Sequence, residues 1–457
     1  MESISPLSMR YQRLHLTASI FIFLIGLATL AQPVRAKGEN QAQPALVRYP
    51  YLQQLSPTSV ILVWTTTEPG PGELRYSPDL SFSQVVSATS TFKSVAAPAP
   101  YDQYYEHVAR LNNLSPDTIY HYAIYTQNVR LIPATPLQFQ TPPADPCAFD
   151  VAVFGDTGND SQAARDVRDQ AQARGFDFAI NLGDLAYSSG AYAELEERYF
   201  NLYRTILSEK MIWPTLGNHE TITNNGAPYL DLFHLPEQAL APAEHERYYS
   251  FDYGTAHFVV LDTDSSLLRV SASSLDDMAD WLEADLAATD RFWKIVAMHR
   301  PWYVSDNRAR RQAIYDHLVP RFEAYGVDLV LAGHDHLYER TYPIKADELS
   351  TVLEGGVIYI TNGEGGGQGR TGYDFVEPAP DWSAFRSKHS ASEGFIYEGS
   401  YTHLYIDNGL LKLMTVDDQG NVLDPAGDSE PLLVIDRSQD PGAFCNRHFI
   451  FLPILLK

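Results

Sequence analysis

The sequence predicts two fold classes in one chain: an all-β segment over residues 44–142, then an α/β segment over residues 148–436. Three observations predict this. Residues 44–142 carry strand patterning punctuated by turn residues. From Phe149 onward, short apolar runs alternate with stretches of helical spacing. Between them lies Thr141-Pro142-Pro143-Ala144-Asp145-Pro146, whose three prolines make a stiff linker.

Each element follows from local signals. Residues 1–36 read as a signal peptide: Arg10 and Arg13 precede an apolar stretch over 16–31, and small residues follow. Cleavage after Val34-Arg35-Ala36 or after Thr29-Leu30-Ala31 fits the pattern. The stretch is short for a bilayer span of roughly 20 residues, and no other segment is long and apolar enough. This predicts a secreted or extracytoplasmic protein with no membrane span once the signal is removed. In the β segment, Val60-Ile61-Leu62-Val63-Trp64 reads as a central strand and Glu68-Pro69-Gly70-Pro71-Gly72 as a turn. Residues 107–114 and 119–125 read as strands paired around Ser115-Pro116-Asp117-Thr118, and residues 137–141 as the closing strand. In the α/β segment, residues 150–154 form a strand. Asp160 or Ser161 caps a helix bearing Ala164, Val167 and Ala171 on one face, and Gly175 stops it. Residues 176–182 are the next strand. Met278, Trp281, Leu282 and Leu286 mark a helix capped near Ser274, and residues 294–298 a strand. Ile314, Leu318, Phe322 and Tyr325 mark one further helix ended by Gly326, followed by a strand over 327–331. Residues 402–406 and 410–414 flank Asp407-Asn408-Gly409, a hairpin signal. Residues 437–457 are a C-terminal tail; its apolar end, 449–456, is too short to anchor the chain.

Five short motifs, each just after an apolar run, carry the chemistry. They are Gly155-Asp156-Thr157-Gly158, Gly183-Asp184-Leu185-Ala186-Tyr187, Gly217-Asn218-His219-Glu220, Val296-Ala297-Met298-His299 and Gly333-His334-Asp335-His336. Strand ends are where α/β folds gather functional side chains. The glycines before Asp156, Asp184, Asn218 and His334 permit tight turns and close approach of the backbone. Carboxylate and amide oxygens suit hard cations, and imidazole suits zinc, iron and copper, so the set describes a mixed oxygen and nitrogen shell. In this order the five motifs specify a two-metal phosphoesterase centre.

This array resembles the calcineurin-like metallophosphoesterases. Tyr187, three residues after Asp184, narrows the resemblance to the purple acid phosphatases. The runs Gly333-His334-Asp335-His336-Leu337-Tyr338-Glu339-Arg340 and His299-Arg300-Pro301-Trp302-Tyr303 point to their plant-like, two-domain branch. The run from Leu114 through Tyr122 resembles the tyrosine-corner strand of fibronectin type III domains, with Tyr120 at the corner. The resemblance implies a four-layer α/β (α+β) sandwich of two mixed sheets flanked by helices, preceded by a fibronectin type III-like sandwich. It implies that Asp156, Tyr187 and His336 hold one ion, Fe(III) in that family. Asn218, His299 and His334 hold a divalent ion, Zn, Mn or Fe, and Asp184 bridges the two. A metal-bound hydroxide then attacks a phosphate monoester, and His219 faces the phosphate to protonate the leaving group or stabilise the transition state. Glu220 supports His219 or the fold, and Glu339 and Arg340 form a structural pair. In one place the chain departs from the family. The loop after His299 reads Ser305-Asp306-Asn307-Arg308-Ala309-Arg310, without the histidines that face substrate in plant-like enzymes. Arg308 is the candidate to clamp a phosphate oxygen there.

Composition narrows the partners. The formal charge is −24, and the first 36 residues carry three Arg and one Glu, so the chain without them stands at −26. That balance argues against a nucleic-acid backbone as partner and leaves a small phosphate ester to be held by local cations. Two cysteines in an exported chain, Cys147 and Cys445, suggest one disulfide. The alternatives are a phosphodiesterase or nucleotide hydrolase on the same centre, and a surface-binding protein with a vestigial site. The stretch 365–393, rich in glycine and aromatics, is expected at the pocket rim. Oligomeric state is left open.

Overall fold

The computed structural model of the chain describes residues 44–132, 136–238, 240–264, 275–306, 312–366, 375–387, 399–424 and 433–440. The signal segment, Ser274, Arg308, Cys445, the end of the tail and much of 365–393 lie outside the described residues. So does the proposed disulfide; Cys147 itself is half-buried, and its carbonyl accepts the Asn408 N–H at 2.8 Å.

Eight strands from Leu46–Gln53 to Leu137–Gln140 form one hydrogen-bonded sheet folded on itself. Ser59–Thr66 is central, between Leu46–Gln53 and Gln103–Asn112. Gln84–Ser94 makes the fold: its first half pairs with Gly72–Ser77 and its second with Gln103–Asn112. Alternate side chains, among them Leu62, Trp64, Leu74, Tyr122 and Phe139, fill the space between the layers. The expected pairing across Ser115–Thr118 does not occur. Gln103–Asn112 pairs with Ser59–Thr66 and Gln84–Ser94, whereas Ile119–Thr126 pairs with Gly72–Ser77 and Leu137–Gln140. The connection crosses between layers, and Tyr120 Oη, accepting the Ser115 N–H at 2.9 Å, holds the crossing as a tyrosine corner does.

The rest of the chain builds two seven-stranded mixed sheets. In the first, Ala148–Phe154, Phe178–Asn181 and Ile212–Pro214 are parallel neighbours, and Ser400–Asp407 runs antiparallel beside Ala148–Phe154. In the second, Ala256–Leu261, Trp293–Met298, Leu329–Ala332 and Ile358–Asn362 are parallel. The period of two along these strands explains the layering. Ile295, Ala297, Leu329, Leu331, Ile358 and Ile360 join the core shared with the first sheet. Their neighbours Val296, Met298, Val330 and Tyr359 pack with Met278, Leu282, Leu286, Ile314 and Phe322 of the covering helices. Gln162–Arg174 packs on the first sheet through Ala164, Val167 and Ala171. The order is helix, sheet, sheet, helix.

Local chemistry sets the element ends. Ser161 Oγ accepts the Ala164 N–H at 3.0 Å, and Gly175 closes the same helix at φ 87°. The single helix expected through Ile314 and Tyr325 is two, Gln312–His317 and Val319–Ala324, broken at Leu318. Pro320 has no N–H to continue the ladder and sits in the first turn of the second helix. In the hairpin, Asp407 pairs with Leu410 and Asn408 takes φ 54°.

The β sandwich is joined to the α/β core. Tyr51, Ile61 and Val63 belong to that core, and Tyr51 Oη and Tyr122 Oη donate to the Leu232 and Ser208 carbonyls. Arg48 donates through Nε at 2.6 Å, and also through Nη2, to Glu196 Oε1. Among the described residues no helix is long and apolar enough to cross a membrane.

Candidate metal centre

Five parallel strands deliver the motif residues. Ala148–Phe154, Phe178–Asn181 and Ile212–Pro214 lead into Asp156, Asp184 and Asn218; Trp293–Met298 and Leu329–Ala332 lead into His299 and His334. The turns at three of these ends fall on the functional residues themselves: Asp156, Asp184 and His334 take φ of 57°, 52° and 69°. Non-glycine residues are uncommon there, though Asp and His are enriched, and such backbone strain collects at functional sites. The preceding glycines serve mainly to admit neighbours. A Cβ on Gly183, itself at φ 97°, would stand 2.6 Å from His299 Nδ1, and one on Gly333 would stand 2.6 Å from Asp156 Oδ2.

The seven expected ligands fall into two adjoining groups. In the first, Tyr187 Oη lies 3.0 Å from Asp156 Oδ1 and 3.0 Å from His336 Nε2, and the last two atoms are 3.3 Å apart. In the second, His299 Nε2 lies 3.1 Å from Asn218 Oδ1, 3.2 Å from His334 Nδ1 and 3.4 Å from Asp184 Oδ1. Asp156, Asp184 and His299 offer ligand atoms within 4.8 Å of one another, so the two groups share one buried space.

The donor chemistry fits a cation. His299 Nδ1 lies 2.7 Å from the Leu182 carbonyl and donates its proton there, which leaves the Nε2 lone pair facing the Asn218 and Asp184 oxygens. Lone pairs that converge with no proton between them repel unless a positive charge lies among them. Protonation follows the same logic. Burial, then the charges of Asp156 and Asp184, holds the Tyr187 phenol well above its ordinary range. Burial, partly offset by His299 and reinforced by the neighbouring Asp156 carboxylate, pushes the Asp184 carboxyl up. Burial acts on Asp156 too, but the hydrogen bond of His336 leads the opposing effects, which hold that carboxyl down.

Two neighbours complete the centre. His219 Nδ1 lies 2.5 Å from the Ser188 carbonyl, its ring packs edge-on to Tyr187, and Nε2 is 3.8 Å from Asp184 Oδ2. Glu220 supports the loops rather than His219. Its fully buried carboxylate accepts the N–H groups of Asp184 at 2.9 Å, Ala186 at 3.1 Å and Gly217 at 3.0 Å. Burial and Asp184 raise its pKa well above the usual carboxylate range.

Several supports were not legible in the motifs. Arg198 Nη1 donates to the Tyr187 carbonyl, and Glu194 accepts the N–H groups of Ser188, Ser189 and Ala191, so both fix the Tyr187 loop. Arg300, one residue past His299, contacts His334; only its place in the motif run hinted at this. Glu339 and Arg340 are not a pair. Adjacent on one strand, they point to opposite faces: Glu339 accepts from Ser305 and Ser383, and Arg340 donates to Asp424.

Comparison with known proteins agrees with this geometry. Residues 149–338 match the calcineurin-like phosphoesterase family, and residues 49–141 match the purple acid phosphatase N-terminal domain. Purple acid phosphatase 21 of Arabidopsis thaliana is 32% identical over 298 residues, covering 61% of this chain and 62% of the relative. The chain spans the same 62% of purple acid phosphatase 18 from that plant. Human acid phosphatase type 7 is 27% identical over 432 residues, 86% of this chain and 93% of its own. Among solved structures, the yellow lupin purple acid phosphatase superposes with a TM-score of 0.66 at 20% identity, covering 83% of this chain and 73% of the other; it shares the fold. With both halves matched in order, the chain belongs to the purple acid phosphatases, a branch of the calcineurin-like phosphoesterases whose hallmark is a binuclear metal centre.

Proposed function

We propose that this protein is an exported, metal-dependent phosphatase that hydrolyses phosphate monoesters. The observation that supports it most is the pair of adjoining ligand groups meeting at Asp184. In this reading Asp156, Tyr187 and His336 hold Fe(III), Asn218, His299 and His334 hold a divalent Zn, Mn or Fe ion, and Asp184 bridges them. Cations held there would polarise a phosphoryl group and lower the pKa of bound water. Tyr187, as phenolate, favours the trivalent ion. His219 donates through Nδ1 to Ser188 and so presents Nε2 to the centre, where a protonated ring gives its proton to the departing alkoxide. Residues 44–142 serve as a packing and spacing domain and residues 148–436 as the catalytic domain. Export rests on the signal pattern of residues 1–36.

The test is a paired rate assay across pH on the metal-loaded mature protein, with a chromogenic phosphomonoester and the matching diester. Preference for the monoester, lost in Asp184→Asn and His219→Ala, is expected. Preference for the diester would move the activity to phosphodiester hydrolysis. Absence of metal and of both activities would overturn the enzyme reading.

A further inference from the structure

A cation stands beside the centre, on the residue that follows His299. The Arg300 side chain is largely buried, 16% exposed. Its Nε donates to Asp264 Oδ1 at 2.5 Å, and its backbone N–H donates to Thr263 Oγ1 at 2.9 Å. Asp264 is fully buried and its own N–H is tied to Asp262 Oδ1 at 3.0 Å, so the anchor is rigid. The other end of the guanidinium, Nη1, lies 2.6 Å from His334 Nε2.

That last contact conflicts with metal binding. His334 turns Nδ1 into the centre, 3.2 Å from His299 Nε2. A neutral imidazole that offers the Nδ1 lone pair to a cation carries its proton on Nε2. A guanidinium has five donors and no acceptor. Two N–H groups would then face each other at 2.6 Å, so the Arg300 contact and ligation through Nδ1 exclude one another. An ion held by His334 Nδ1 would release Nη1 while Nε stays on Asp264. The freed donors hang from a fixed hinge, one imidazole ring away from the centre.

We propose that Arg300 is a substrate-binding residue, a clamp for a phosphate oxygen that is freed when the second ion binds. Guanidinium forks match phosphate oxygens in pairs. It rests on the two-ion phosphatase reading above.

The test uses the full mature chain, metal-loaded, with inorganic phosphate as probe. Calorimetry reads phosphate affinity, and elemental analysis reads ions per chain, for the wild type, Arg300→Met and Arg300→Lys. Arg300→Met is expected to keep two ions and to bind phosphate at least about ten-fold more weakly, with Arg300→Lys in between. Phosphate affinity within two-fold of wild type in Arg300→Met, with both ions held, overturns the clamp. Loss of ions from both variants also overturns it, because Arg300 would then support the centre instead. Should Arg300→Met fail to fold, Arg300→Lys alone decides, by the same fall or constancy of phosphate affinity. None of these readouts uses turnover, so a wild type that binds phosphate but hydrolyses no monoester counts against the phosphatase reading alone.

Discussion

Replacing Arg48 by Met tests how the β sandwich is fastened to the catalytic half. The Arg48 and Glu196 side chains are 1% and 3% exposed. The guanidinium also lies over Phe200, 4.6 Å from the ring centroid, and over Tyr104 at 5.5 Å. Methionine keeps the apolar stem against those rings and removes the charge. Glu196 is then an uncompensated buried carboxylate, and breaking such a pair costs about 3–5 kcal/mol. The sign with pH follows. In the wild type, burial raises the Glu196 pKa and Arg48 pulls it back. Without Arg48 it rises further. The added penalty is therefore relieved at low pH, where the carboxyl is protonated. It grows by about 1.4 kcal/mol per pH unit as pH climbs from the wild-type carboxyl's pKa to the variant's, and is constant above that. Urea unfolding of Arg48→Met and wild type at pH 5 and pH 8 is the assay. The gap should be several kcal/mol at pH 8 and smaller at pH 5, and Arg48→Met/Glu196→Gln should recover much of it. A gap under about 1 kcal/mol at pH 8, or one independent of pH, would refute the reasoning, since it would mean that Glu196 finds another partner or water.

Three further outcomes follow from the same geometry. Glu220→Gln is nearly isosteric but turns an NH2 group towards backbone donors. It should destabilise the protein by about 2–4 kcal/mol and lower its ion content, whereas an unchanged melting temperature with two ions bound would show that the three hydrogen bonds are dispensable. In Gly183→Ala the new Cβ would press on His299 Nδ1; displacement of the ring should reduce turnover about 100-fold, and full activity would mean the turn yields elsewhere. His257 lies 2.7 Å from Asp252 and 2.8 Å from Asp285; burial lowers its pKa but the two carboxylates raise it to about 9. Its stabilisation, roughly 3 kcal/mol, is present in full below about pH 6.5 and lost as pH rises through 9. The stability gap to His257→Gln should therefore close between pH 6 and 10, and a constant gap measured by urea titration would contradict the assignment.

Much of the centre was legible because each motif residue follows a parallel strand whose apolar run is visible locally. Ser161 and Gly175 announced their helix in the same way. What failed was information carried at a distance. The strands on either side of Ser115-Pro116-Asp117-Thr118 looked like a hairpin, but their partners are Ser59–Thr66 and Gly72–Ser77, which no local signal distinguishes. Tyr338–Thr341 and Ser383–Ser387 pair only in the folded sheet. Two errors were avoidable. Pro320 marked the helix break, and strand alternation alone sends Glu339 and Arg340 to opposite faces. Glu220 supports the fold, one of the two roles expected of it, and the Arg300 contact was not an avoidable miss, because its partner His334 stands more than thirty residues away.

The folded centre is locally unfavourable in three ways, and they share one remedy. Asp156, Asp184 and His334 hold left-handed backbone conformations. Such residues cost of order 1–3 kcal/mol each. Asp184 and Glu220 carry carboxyls that burial pushes up, and the His299 lone pair faces oxygens with no proton to share. A cation between the two groups would satisfy the lone pairs and neutralise the carboxylates, and its binding energy would then appear as folding energy. The surrounding parallel strands must hold the strained turns in the meantime, which explains why the motif residues emerge from two buried sheets and not from mobile loops. It follows that chelation should lower the melting temperature of the whole chain rather than merely silence the site, by an amount that depends on the free ion concentration as RT ln(1 + [L]/Kd). A melting temperature indifferent to chelator, in a protein shown to hold two ions beforehand, would mean that the sheets alone carry the strain.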